Sequence, residues 1–129
     1  MLQSKLETTL CEAFIKFQRE LIGKGPEETK VCVMKDMVII RSKGVLTKEE
    51  KHVANSNKGR SLVKQLRQEL RETYIEKAEK MISQITDCNV LSSFGDVSIR
   101  TGEYIEVYVL DCDLQKKLFN CKNGKPALK

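Results

Sequence analysis

Lys30-Val31-Cys32-Val33-Met34-Lys35-Asp36-Met37-Val38-Ile39-Ile40-Arg41-Ser42-Lys43 is the stretch from which the fold is read. Two runs rich in Val, Ile and Met flank Lys35-Asp36, a tight-turn dipeptide, so the stretch reads as a β-hairpin. In the second run Val38, Ile39 and Ile40 are consecutive, which suits a strand covered on both faces.

Upstream, residues 3–22 place Leu6, Leu10, Phe14, Phe17 and Leu21 at spacings of 4, 4, 3 and 4, one stripe of an amphipathic helix. Gly23-Lys24-Gly25-Pro26 stops that helix. A phosphate loop would need a strand before it and a helix after it, the reverse of this order. Downstream, Gly44 closes the hairpin and Thr47-Lys48-Glu49-Glu50 fits a capping box. The short helix it opens runs to about Ala54, and Asn55 to Gly59 breaks or bends it. A long helix from about Arg60 to Thr86 carries the stripe Leu62, Leu66, Leu70, Tyr74, Ala78, Met81 and Ile85.

Val90 to Ile99, bulged at Gly95-Asp96, and Tyr104 to Leu110 form a second hairpin. On its last strand Ile105, Val107 and Val109 share one face, and Tyr104, Glu106 and Tyr108 the other. The order αββαββ has the form of a duplicated αββ unit. The expected fold is α+β, in two layers: a four-stranded, mainly antiparallel sheet from two hairpins, with the helices on one face. Residues 1–114 form the expected domain, and the lysine-rich residues 115–129 a flexible tail.

The chain has 129 residues, 40% apolar and 32% charged, which suits one globular domain and excludes collagen-like and Pro-rich classes. The longest aliphatic run, Met37 to Ile40, is far short of the roughly 20 residues of a membrane span. The N-terminus opens on a charged amphipathic pattern, so a cytoplasmic location is expected. Cysteines 11, 32, 88, 112 and 121 form no close pair, and the only histidine, His52, has none nearby. Reduced, inert thiols and no metal or cofactor are expected, with a Cys112–Cys121 bridge the conceivable exception.

The net charge of +5 comes from residues 114–129, because residues 1–113 balance 18 basic against 18 acidic groups. Within that body, residues 47–67 are basic and residues 87–113 acidic, so the two segments are expected to face each other, within one chain or across a homodimer. Arg60, Lys64, Arg67 and Arg71 recur along one ridge of the long helix, as a docking strip or a solvated face. Asp111 and Asp113, with Asp87 or Asp96, have cation-binding chemistry but read more simply as strand-end polar groups.

Gly23-Lys24-Gly25-Pro26, Val31-Cys32-Val33, Asp36 to Arg41, Gly44 to Thr47 with Glu50, Gly59-Arg60, Asp96-Val97-Ser98, Thr101-Gly102-Glu103 and Val107 to Asp113 together resemble the small bacterial MpsC-type domain. The resemblance spans about residues 4 to 114. The family is named for a sodium-translocating, membrane-potential-generating system and has no accepted reaction. What the resemblance implies is a non-enzymatic accessory role beside such a system, with a protein partner at the membrane. Lys24, Arg41 and Arg60 match its motifs and, with Lys64 and Arg67, are the expected ligand or partner contacts. The edge strands of two short hairpins invite pairing with a second copy, so a homodimer is expected. The alternatives are a protein that binds an anionic metabolite or nucleotide, or a weak nucleic-acid binder. The neutral body makes nucleic acid unlikely.

Overall fold

A computed structural model describes residues 2–122. The 30–43 stretch forms β1 (Glu28–Met34) and β2 (Met37–Lys43), antiparallel from Glu28↔Lys43 to Met34↔Met37. Lys35 takes the left-handed conformation in the turn, φ 54°. The second hairpin is β3 (Val90–Ser98) and β4 (Glu103–Leu110). The sheet order is β1-β2-β4-β3, every pair antiparallel. The second strand of each hairpin therefore lies at the centre, as two αββ units related by a twofold axis normal to the sheet would place them.

α1 (Leu2–Ile22) buries Leu10, Phe14 and Phe17, three members of its stripe. It ends at Gly23, whose positive φ of 80° lets its N–H reach Arg19 O at 2.9 Å. α2 (Lys48–Val53) has both capping-box bonds: Thr47 Oγ1 accepts from the Glu50 amide, and Glu50 accepts from the Thr47 amide. α3 (Asn57–Thr86) follows at a tight corner. A Cβ on Gly59 would lie 1.6 Å from Val53 O, so only glycine lets the two helices meet there. α1 and α3 cover one face of the sheet, where Leu10, Phe14, Val38, Ile40, Ala78, Ile82 and Tyr108 form the main core. Burying each large apolar side chain contributes about 1.5–3 kcal/mol.

Several expectations are corrected. α3 starts at Asn57, not Arg60, because Ser56 caps it by accepting from the Gly59 amide. Its first turns do not bury the leucine stripe: Leu62 and Leu66 are 48% and 56% exposed, while Val63 and Arg67 turn inward. An ion pair holds Arg67 there and so sets the helix rotation. The β3 bulge lies between Val90 and Ser92, not at Gly95-Asp96. Residues expected to fray after 114 instead begin α4 (Leu114–Lys122). Leu114 is buried, Leu118 packs on the core, and the Lys35 carbonyl accepts from the Leu114 and Gln115 amides. The folded body thus passes residue 114, while residues 123–129 and the Cys121 side chain fall outside the described residues. Cys88 and Cys112 are disulfide-bonded, not free, and tie the end of α3 to the start of α4; Cys11 and Cys32 are free. Sequence spacing carries no signal for a bond that closes over 24 residues.

Candidate functional site

β4 turns its polar side inward. Glu106 is 1% exposed, yet its carboxylate is well supplied with donors. Tyr108 donates to Oε1 and Tyr74 to Oε2, the latter at 2.8 Å. The Tyr74 oxygen is then left to accept from Tyr104 at 3.1 Å. Arg71 Nε stands 3.9 Å from Glu106 Oε2, and its Nε and Nη2 make no hydrogen bond. Gly95 makes room for that guanidinium, since a Cβ there would lie 2.7 Å from Nε. Burial, and then the Glu106 charge, push the Tyr74 and Tyr108 hydroxyls well above the usual phenol range, and Tyr104 up to about 12. All three remain protonated donors at neutral pH. The cluster is a carboxylate whose hydrogen bonds all come from within the fold.

A second buried pair lies nearby. Arg67 donates from Nη2 to Glu50 Oε1 at 2.6 Å, from Nε to Glu50 Oε2 at 2.8 Å, and to Val45 O at 2.7 Å. Burial pushes the Glu50 carboxyl up, but hydrogen bonds from Arg67 and the Thr47 amide outweigh it and hold the group below the usual carboxylate range.

The other expected contact residues also have partners within the chain. Lys24 Nζ donates to Gly44 O at 2.6 Å and Leu46 O at 3.3 Å, closing the β2–α2 connection. Arg41 pairs with Glu103 at 2.5 Å on the sheet face opposite the helices. Arg60 donates to Ala54 O and Asn57 Oδ1, and Lys64 pairs with Asp96 at 3.2 Å. Arg60 and Lys64 share the wall of an open cleft of about 890 Å3 with Arg100 and Thr101; Lys24, Arg41 and Arg67 do not line it. The basic ridge does meet the acidic segment inside one chain, through Lys64–Asp96 and Arg71–Glu106. His52 is exposed on α2. Asp111 accepts from the Asn89 amide and side chain, and Asp113 from the Lys116 amide in the first turn of α4. Among the described residues, Cys88, Asp111 and Cys112 are grouped closely enough to hold a metal, but the disulfide uses both sulfurs.

No element among the described residues covers the other face of the sheet. Four cross-strand rows cross it in the order β1, β2, β4, β3. One row is Glu28, Lys43, Glu103 and Ser98, and the next is Lys30, Arg41, Ile105 and Asp96. Then come Cys32, Ile39, Val107 and Phe94, and finally Met34, Met37, Val109 and Ser92. The last two rows apart from Ser92, together with Ile105, form a continuous apolar surface, with Phe94 61% and Ile105 45% exposed. An apolar patch of this kind, rimmed by charge, is the usual mark of an interaction surface. Sequence reasoning passed over it as a site, although the uninterrupted Val38-Ile39-Ile40 run was its signal.

The family model described as "Na+-translocating membrane potential-generating system (MpsC)" matches residues 2–112. An uncharacterized protein of Bacillus subtilis (strain 168), YbcI, is 34% identical over 116 residues, 90% of this chain and 94% of its own length. A second uncharacterized protein of the same organism, YrhF, is 26% identical over 97 residues, 74% of this chain and 80% of its own. No solved structure matches. Among the described residues no helix is long and apolar enough to cross a membrane.

Proposed function

This chain belongs to the MpsC family, and on that premise we propose that it is a non-enzymatic accessory module that works by docking. It acts as a homodimer in the cytoplasm and meets a protein partner of a membrane ion- or potential-generating system. The observation that carries this reading is the uncovered apolar sheet face, while the carboxylate, phenol and guanidinium groups with chemical potential are buried against one another. The free thiols Cys11 and Cys32 suit a reducing compartment, in which the Cys88–Cys112 bond is the exception. The test is in-cell photocrosslinking from position 109 on the open face. The expected products are a crosslinked pair of copies of this chain and an adduct with an integral-membrane protein. Adducts confined to the cytosolic fraction would remove the membrane partner, and turnover of a substrate that depends on Tyr74 or Glu106 would remove the non-enzymatic reading.

The second reading is an anionic metabolite or nucleotide, or weakly held nucleic acid, in the cleft lined by Arg60, Lys64 and Arg100. It predicts that Arg60→Ala with Lys64→Ala abolishes saturable binding of a nucleoside triphosphate or a short oligonucleotide at low salt. No such binding to the unaltered protein would discard it.

A further inference from the structure

We propose that the occupant of the open sheet face is a second copy of this chain, related by a twofold axis that runs parallel to the strands, midway between β2 and β4. The inference rests on the docking reading and goes further, because it fixes which surface pairs and in what register. Such an axis keeps every cross-strand row at its own level and carries β1 of one copy over β3 of the other. In the first row Lys43 then faces Glu103 of the partner subunit. In the second, Lys30 faces Asp96 of the partner subunit. In the third, Ile39 meets Val107 of the partner subunit and Cys32 meets Phe94 of the partner subunit. Each contact occurs twice, as an isologous interface requires. The apolar rows match under this one operation, Arg41 meets Ile105 of the partner subunit, and the two facing acids, Glu103 and Asp96, keep Arg41 and Lys64 of their own chain as neighbours.

Two further observations favour this face, the first of them over the β1 edge. The β1 edge is already occupied from within: the Val33 amide donates to Glu7 at 2.8 Å, Val33 O accepts from Gln3 at 3.1 Å, and Thr29 O accepts from the Cys11 thiol. The area also suffices. Four strands about 4.8 Å apart and four rows about 6.8 Å apart give a face of roughly 500 Å2 per copy, or about 1,000 Å2 in total, the lower bound of a specific interface. The packed sheets would lie about 10 Å apart in the aligned arrangement of β-sandwiches.

The test is sedimentation equilibrium of the full chain, with a thermal melt of each variant to show that it folds. The unaltered protein is expected to be a dimer at tens of micromolar. Val107→Lys, an outward-facing change at the middle of the face, is expected to weaken the dimer about 100-fold or more, because it buries an unpaired charge. Lys43→Glu is expected to weaken it about 10-fold, because it sets a carboxylate against Glu103 of the partner subunit. A short bis-maleimide should join Cys32 to Phe94→Cys between subunits only, since within one chain these positions lie about 14 Å apart across three strand spacings. A monomer at these concentrations, or a dimer unmoved by Val107→Lys, overturns the inference. If a monomer still captures a membrane partner through position 109, and Val107→Lys abolishes that capture, docking stands and the second copy fails. If no partner of either kind is captured, both fail.

Discussion

The two faces of the sheet reverse the usual division of labour. β4 sends Tyr104, Glu106 and Tyr108 toward the helices and Ile105, Val107 and Val109 away from them. A strand on a half-solvated sheet normally buries the aliphatic set and wets the other. Here the polar set is affordable inside because each group finds a partner: Tyr74 and Tyr108 bond Glu106, and Tyr104 bonds Tyr74. The aliphatic set outside has no cover in one chain. The difference teaches where to look for each role, because the buried cluster specifies the fold while the exposed rows remain available to bind.

That contrast can be broken from the inside first. Arg67→Ala leaves the Glu50 carboxylate buried and unpaired and should cost about 3–5 kcal/mol in urea denaturation. Replacing the pair together, Arg67→Met with Glu50→Leu, should recover part of that loss, since it also gives up the Thr47 amide and Val45 carbonyl bonds. Next, reduction of Cys88–Cys112, or Cys112→Ser, should cost about 3 kcal/mol by releasing a closed loop of the unfolded chain. Tyr74→Phe, which strips one donor from Glu106 and the acceptor used by Tyr104, should cost about 1–3 kcal/mol.

A pH series sharpens the account of the same interior. Because the folded Glu50 carboxyl titrates lower than in the unfolded chain, its contribution is fully present above about pH 4.3. It is lost as the pH falls through the folded value. Glu50→Gln should flatten that part of the acid dependence relative to the unaltered protein. Outward-facing changes belong at the small end: Ile39→Thr should alter the stability of an isolated chain by less than about 1 kcal/mol, measured at nanomolar concentration.

Much of this was legible in the chain itself. The 30–43 hairpin, the Thr47–Glu50 capping box, the Gly23 helix stop and the αββαββ order all rest on local chemistry, and the structure repeats them. What local patterning does not carry is which face is buried. A periodic stripe assigns Leu62 and Leu66 to the core and Arg67 to solvent, but the Glu50 partner reverses both. The alternation on β4 was visible; its direction depends on Tyr74 and Arg71 arriving from α3. α4 is masked by its lysines, because its two anchoring leucines, Leu114 and Leu118, are spaced for only one turn. Of the candidate basic residues, Lys24 and Arg67 are absorbed by backbone carbonyls and a buried carboxylate, roles that no spacing announces.

The chain has no tryptophan, so one placed at position 94 reports on the open face alone. Phe94→Trp should emit at short wavelength at tens of micromolar and shift to the red on dilution to nanomolar, with the midpoint at the dissociation constant. Emission that is red-shifted and unchanged over the whole range would show the face bare in solution and contradict the account.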